Sequence, residues 1–200
     1  MQYWTEYTGH KGDIVGKRKK VDNTIYTLDI ETTSYLLVRD ESTNEFKQMG
    51  GWEYDKLSKK EKDECIKCGT MYLWQLSINE NVYYGRTWEE LRIFIDKIDY
   101  NVMYHKVFFV HNLSFEFQWL KSVFNFTNVL ARKSHKVMKT EFEDYDIEFR
   151  CSYLMTNLGL QYLPKMYNLD VEKKKGDLDY NKIRHSKTDL TVKELRLWRG

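Results

Sequence analysis

The chain has 200 residues, 42% hydrophobic and 16% aromatic, with 32 basic and 30 acidic side chains and a net charge of +2. That is the length of one domain with enough apolar material for its own core, which excludes a disordered chain. Ten glycines and one proline exclude a collagen-like or linker sequence, and no apolar run approaches the roughly 18 residues that cross a membrane.

Residues 1–23 read as a flexible leader, with three glycines and the basic run Lys17-Arg18-Lys19-Lys20. The segment begins without a basic region followed by an apolar stretch, so it is not a secretory signal. Three cysteines fit a reducing cytoplasm better than a disulfide framework. Ordered structure is expected from residue 24, where Thr24-Ile25-Tyr26-Thr27-Leu28-Asp29-Ile30 reads as a buried strand. Residues 40–69 are polar and charged and read as an insertion, a loop or short helix outside the core. Met71 to Ile78 is a second strand, 79–81 a turn, and Val82 to Gly85 a third strand. Thr87 and Glu90 have the capping-box spacing, and Trp88, Leu91, Phe94, Ile95 and Ile98 share one helical face.

Val107-Phe108-Phe109-Val110 is an uninterrupted apolar run, as central strands are. A second helix follows, with Phe117, Leu120 and Phe124 along one stripe. Residues 127–152 read as a β-hairpin and a further strand, with turns near 133–135 and 143–146. Thr156 or Asn157 opens a helix to Tyr167 that Pro164 should kink or shorten. A last helix starts near Leu190. The order of elements makes a mixed α/β layer fold, helices on a sheet, over residues 24–200.

Two places offer chemistry. In Asp29-Ile30-Glu31-Thr32-Thr33 the two carboxylates point to the same side of a strand, while Ile30 faces the core. Like charges that close are unfavourable unless a cation neutralises them, and hard divalent ions prefer carboxylate oxygens. Two exposed acids at a strand end are the plain alternative. His111-Asn112-Leu113-Ser114-Phe115-Glu116 follows the apolar strand directly, at a strand-to-helix junction where α/β sheets commonly hold ligands. It adds a third carboxylate, an amide and a ring able to stack on a base. The alternative there is a helix cap at Asn112 or Ser114 and a core Phe115.

Taken together, D-I-E-T-T followed by an apolar strand ending in H-N-L-x-F-E resembles the first two exonuclease motifs of family B DNA polymerases, above all the protein-primed enzymes of small phages and linear plasmids. Lys174-Lys175-Gly176-Asp177-Leu178-Asp179-Tyr180-Asn181-Lys182 is similar to the K-G-D-[IL]-D-Y-x-K stretch those enzymes carry. The resemblance implies an RNase H-like exonuclease domain of the four-carboxylate type and removal of mispaired nucleotides in the 3′→5′ direction with Mg²⁺ or Mn²⁺. It implies that Asp29, Glu31 and Glu116 hold the metals, where the family usually has Asp at the last position. Thr32, His111, Asn112, Phe115, Trp119 and Ser152 would contact a single-stranded DNA 3′ end, and Lys175 would sit near the scissile phosphate. A priming terminal protein is a further implied partner, no membrane is, and the site of action would be the cytoplasm, the host's if the gene is a phage's. The family's third motif, Y-x-x-x-D, does not follow Asp189, and D-x-x-S-L-Y-P and Y-x-D-T-D are absent. The resemblance therefore implies the N-terminal part of a polymerase with its C-terminal part missing, in which catalysis would be weak. The rival is a module that grips single-stranded DNA or the priming protein without cutting.

Other features carry less. Cys65-x-x-Cys68 has zinc-ligand spacing but lacks two further partners. His105 and His135 read as surface or satisfied histidines. Arg132-Lys133 and His135-Lys136 are either a DNA-groove lining or a solvated hairpin tip.

Overall fold

The computed structural model describes residues 1–7, 14–15, 20–40, 42–99, 104–170 and 179–197. Its strands are β1 (Gln2–Tyr3), β2 (Ile14–Val15), β3 (Lys20–Asp22), β4 (Tyr26–Arg39), β5 (Phe46–Gly50), β6 (Ile66–Ile78), β7 (Asn81–Gly85), β8 (Tyr104–Val110), β9 (Phe126–Ala131), β10 (Val137–Phe142) and β11 (Ile147–Cys151). The helices are α1 (Lys59–Glu64), α2 (Trp88–Asp99), α3 (Leu113–Leu120), α4 (Ser152–Thr156), α5 (Leu163–Tyr167) and α6 (Val192–Leu197).

One sheet runs in the order β1-β7-β6-β4-β8-β11-β10-β9. β6 is antiparallel to both β7 and β4, whereas β4, β8 and β11 are parallel. The period-2 alternation expected of β4 holds over its first half: Tyr26, Leu28 and Ile30 are buried while Thr27 and Asp29 are exposed. Tyr26 stacks on Phe108 of β8 with centroids 4.8 Å apart, so ring packing ties the first central strand to the second.

α2 lies on this core with Leu91, Phe94, Ile95 and Ile98 buried. Its capping box is complete: the Glu90 N–H donates to Thr87 Oγ1 at 3.2 Å and the Thr87 N–H to Glu90 Oε2 at 2.9 Å. Trp74 is fully buried against Phe94 and satisfies its indole N–H on the Thr87 carbonyl.

Several elements depart from the sequence reading. β4 continues to Arg39 and β6 begins at Ile66, because Tyr35 to Val38 extend the β-forming run. The polar stretch 40–69 thus contributes β5, α1 and the start of β6. Leu36, Val38 and Leu57 form a second small core there. Residues 2–3 and 20–22, read as leader, pair with β7 and β8. Tyr7 packs edge-on against Tyr83 and Phe94, so aromatic burial recruits the start of the chain. Lys17 to Lys19 lie outside the described residues.

α3 stops at Leu120, and Phe124 is buried from the tight turn that follows, its N–H on the Leu120 carbonyl. The single helix expected from 156 or 157 to 167 is two short ones. α4 ends at Asn157 in the left-handed conformation (φ 54°), and Pro164 sits in the first turn of α5, where its missing N–H costs nothing.

Candidate functional site

Register places the candidate residues. On the parallel pair β4–β8, Thr27 is level with Phe109, the last pair of that ladder; Asp29 lies two residues further along β4, and His111 follows Val110, the last residue of β8. On β8–β11, Val110 is level with Cys151, so Ser152 comes level with His111. The parallel strands β8 and β11 thus carry His111 and Ser152 to their carboxyl ends, the edge where open α/β sheets hold ligands, and Asp29 stands on the neighbouring strand β4. The His111 Nδ1–Ser152 Oγ distance of 3.2 Å joins two of them. Tyr153 meets the His111 ring edge-on at 5.5 Å.

A β-bulge lies beside Glu31: Glu31 pairs with Leu73 and Thr32 with Met71, leaving Tyr72 as the extra residue of β6. Glu31 and Thr32 are both half-buried there, where strict alternation would have separated them.

Glu116 enters from the first turns of α3 and is 3% exposed. Its Oε2 is buried without a hydrogen-bond partner. Burial, and then the negative charges of Asp29 and Glu31, push its carboxyl up to about 8. The three carboxylates thus act on one another. Among the described residues, no three His, Cys, Asp or Glu side chains are already gathered as a metal-binding group. The donor chemistry nonetheless fits a hard divalent cation: three carboxylates, one with an orphaned buried oxygen and a raised affinity for positive charge.

Asn112 is in the left-handed conformation (φ 66°, ψ 48°) and stands at the N-cap of α3, yet its side chain makes no capping bond. It is exposed and so remains available to a ligand. Ser114 does not cap either; its hydroxyl accepts the Val137 N–H and fastens the β9–β10 hairpin to α3. Phe115 is 43% exposed and not a core residue. Trp119, 6.4 Å from it between centroids, leans onto β6 instead. A Cβ at Gly69 would lie 2.6 Å from the Trp119 ring, so only glycine admits it. Thr32, His111, Asn112, Phe115, Trp119 and Ser152 all belong to elements bordering this edge. Lys175 and its neighbours 171–178 lie outside the described residues.

Sequence reading missed what surrounds the carboxylates. His111 and Asn112 border a cavity of about 360 Å³ whose other walls include Lys136, Tyr153 and Gln161. On the far side, Glu31 raises the Tyr72 hydroxyl, which burial has already raised; Arg184 opposes them and Tyr180 adds to the rise. The segment 179–197 thus lies against the middle of β4, near Glu31 and Thr33. Arg184 is 2% exposed. Its guanidinium donates to Glu194 Oε1 at 3.0 and 2.7 Å and to the carbonyls of Asp179 and Lys182. Its backbone N–H reaches Thr33 Oγ1 at 3.4 Å. Arg86 holds the same segment through the carbonyls of His185 and Thr188. The T-x-x-E spacing of Thr191 and Glu194 is the one local signal of this arrangement, and it forms a capping box.

His105 is satisfied by Asp146 and Glu148, and the Cys65 thiol donates to the Lys62 carbonyl. No helix among the described residues is long and apolar enough to cross a membrane.

The order β7-β6-β4-β8-β11, with three antiparallel strands followed by parallel ones and helices on the sheet, is an RNase H-like fold. No protein-family model matches the sequence, and no curated protein matches it. Among solved structures, phi29 DNA polymerase complexed with single-stranded DNA is similar at a TM-score of 0.55 and 14% identity, over 88% of this chain and 29% of that one. The same polymerase with primer-template DNA and incoming nucleotides is similar at the same TM-score and identity, over 88% and 28%. The chain thus shares the fold of part of phi29 DNA polymerase and spans under a third of that protein's length.

Proposed function

We propose that the chain is the 3′→5′ exonuclease region of a protein related to the protein-primed family B DNA polymerases, trimming the single-stranded 3′ end of DNA by phosphodiester hydrolysis. The observation that carries the reading is the buried, partnerless Oε2 of Glu116 beside the charges of Asp29 and Glu31. An ionised carboxylate so placed is relieved only by a proton or a cation. Asp29, Glu31 and Glu116 would hold Mg²⁺ or Mn²⁺, and the ion would have to draw the three together. Such an ion activates water and steadies the charge on a phosphoryl group.

The chain's own residues supply binding. Phe115 offers an exposed ring for a terminal base, worth about 1–3 kcal/mol if stacked. Asn112 offers an uncommitted amide, Thr32 a hydroxyl beside Glu31, and His111 a ring steadied by Ser152 and Tyr153. Lys175 would meet the scissile phosphate. The likeness to a polymerase complexed with single-stranded DNA supports a DNA strand as substrate.

The test follows a 5′-labelled oligonucleotide with Mg²⁺ or Mn²⁺. Stepwise shortening from the 3′ end is expected, slowed about a thousandfold, or about 4 kcal/mol of barrier, in Asp29→Ala. Shortening that is indifferent to Asp29→Ala would refute the assignment. Metal-independent binding with no shortening would favour a module that grips the strand, or a priming protein, without cutting.

A further inference from the structure

The β9–β10 hairpin ends in a second cavity, of about 460 Å³, lined by Arg132, Lys133, Lys136, Tyr153 and Leu154. Two of its residues, Lys136 and Tyr153, also line the cavity beside His111 and Asn112, so the two are neighbours with a shared wall. Among the described residues, three cations and no carboxylate face this second space.

The contrast with the rest of the hairpin is sharp. At its base Lys139 is neutralised by Glu141 at 3.1 Å and Glu148 at 2.5 Å. At the tip the backbone is closed on itself, Arg132 N–H to the Lys136 carbonyl and Lys136 N–H to the Lys133 carbonyl. His135 takes the left-handed conformation there (φ 57°). The tip is therefore an ordered turn that presents uncompensated positive charge beside the cavity. Ser114 fastens this hairpin to the first turn of α3 through the Val137 N–H, which fixes the tip relative to Phe115 and Glu116.

From this we infer that the hairpin-tip cavity is a phosphate subsite for single-stranded nucleic acid. It takes the backbone of nucleotides upstream of the terminal ones, with Arg132 and Lys133 as phosphate contacts and Tyr153 as the shared wall. The inference rests on the reading of the neighbouring site as a strand-end site. It adds length to that site: a short strand fills only the first cavity, whereas a longer one reaches the tip.

The experiment measures fluorescence anisotropy of labelled oligo(dT) of three and of ten nucleotides, in Ca²⁺ to prevent cleavage, across a salt series. The proteins compared are the full chain, its Arg132→Ala/Lys133→Ala variant and its Lys133→Glu variant. In both variants the ten-mer is expected to bind on the order of tenfold more weakly at low salt. In the double variant the slope of log affinity against log salt should become shallower by about 1.4, at roughly 0.7 per phosphate contact on a single strand. Three-mer affinity is expected to stay unchanged. If the full chain binds the ten-mer no better than the three-mer, or both variants bind it as the full chain does, the subsite is refuted and the strand-end reading stands. If the variants lose three-mer and ten-mer binding equally, the tip belongs to the terminal site and the subsite is again refuted. If neither oligonucleotide binds, the strand-end reading fails and takes the subsite with it.

Discussion

Within a few residues of β4, Asp29 and Glu31 on one hand and Thr33 on the other stand near buried glutamates of opposite character. Glu116, near Asp29 and Glu31, is pushed up to about 8 by burial and by those two charges. Glu194, beyond Thr33, would also be raised by burial, but the Thr191 N–H, the Arg184 guanidinium and the Thr191 hydroxyl outweigh that and hold it at about 2. Glu148 on β11 follows the second pattern: burial raises it, and Lys139 and Arg150 bring it below the ordinary carboxylate range. All three residues are less than a tenth exposed. Burial therefore does not decide what a carboxylate does here; its neighbours do. Where cations and N–H donors surround it, it is structure. Where further carboxylates face it, its carboxyl is raised toward the protonated form, as are groups tuned away from their ordinary values in active sites.

Removing a partner should break the second pattern most severely. Arg184→Met leaves Glu194 buried without its guanidinium partner and releases the carbonyls of Asp179 and Lys182. It is expected to cost about 3 kcal/mol in urea unfolding, as loss of one member of a buried pair does. Arg184→Met/Glu194→Met should recover more than half of that. If the single variant costs under about 0.5 kcal/mol, a surface pair's worth, the latch is not structural.

Glu116→Gln sharpens the first pattern. The folded-state value near 8 lies above the ordinary value of 4.5. The folded state therefore keeps a proton that the unfolded state releases. The group's favourable contribution is complete below about pH 4.5 and is lost as pH rises through about 8. Glu116→Gln should abolish that loss, raising stability by at least about 1 kcal/mol at pH 9 relative to the parent and changing little at pH 4. Thermal melts at both values measure it. Mg²⁺ or Mn²⁺ should raise the melting temperature of the parent at pH 8 and leave Glu116→Gln unmoved. Equal pH profiles in the two proteins would show that Glu116 carries no frustrated charge.

The smallest effect is expected at Glu148, which has several partners. Lys139→Met removes one while His105 and Arg150 remain. A cost of about 1 kcal/mol or less is expected at pH 7, where the remaining partners share the charge. A cost approaching that of Arg184→Met would mean that Lys139 alone neutralises the site.

Much of this was legible in the residues. The period-3.6 face of α2 and its Thr87–Glu90 box, the alternation of Tyr26, Leu28 and Ile30, and the hairpin turns all follow from local chemistry, which acts over a few residues and is written in neighbouring letters. So is the placing of Asp29 and Glu31 on one side of Ile30. Pro164 announced a helix interruption, although the break falls at Asn157 and Pro164 opens the next helix. Phe115 stood between core and ligand on sequence grounds, and Trp119 did not advertise that Gly69 would receive it.

What the sequence by itself determined is therefore which residues turn toward a core and which carry charge away from it. Only the tertiary structure decided which strands are neighbours. Backbone hydrogen bonds are chemically alike in every strand, so nothing local says that β4 lies beside β8 with Thr27 level with Phe109. The partners of the buried charges were undetermined for the same reason. Glu116 and Glu194 each sit in the first turn of a helix, and what separates them is which groups the fold brings up: Asp29 and Glu31 from β4 for one, the Arg184 guanidinium from the turn that folds back onto Thr33 for the other. Electrostatic character depends on distance in space, and the chain acquires that only when the sheet has closed its order.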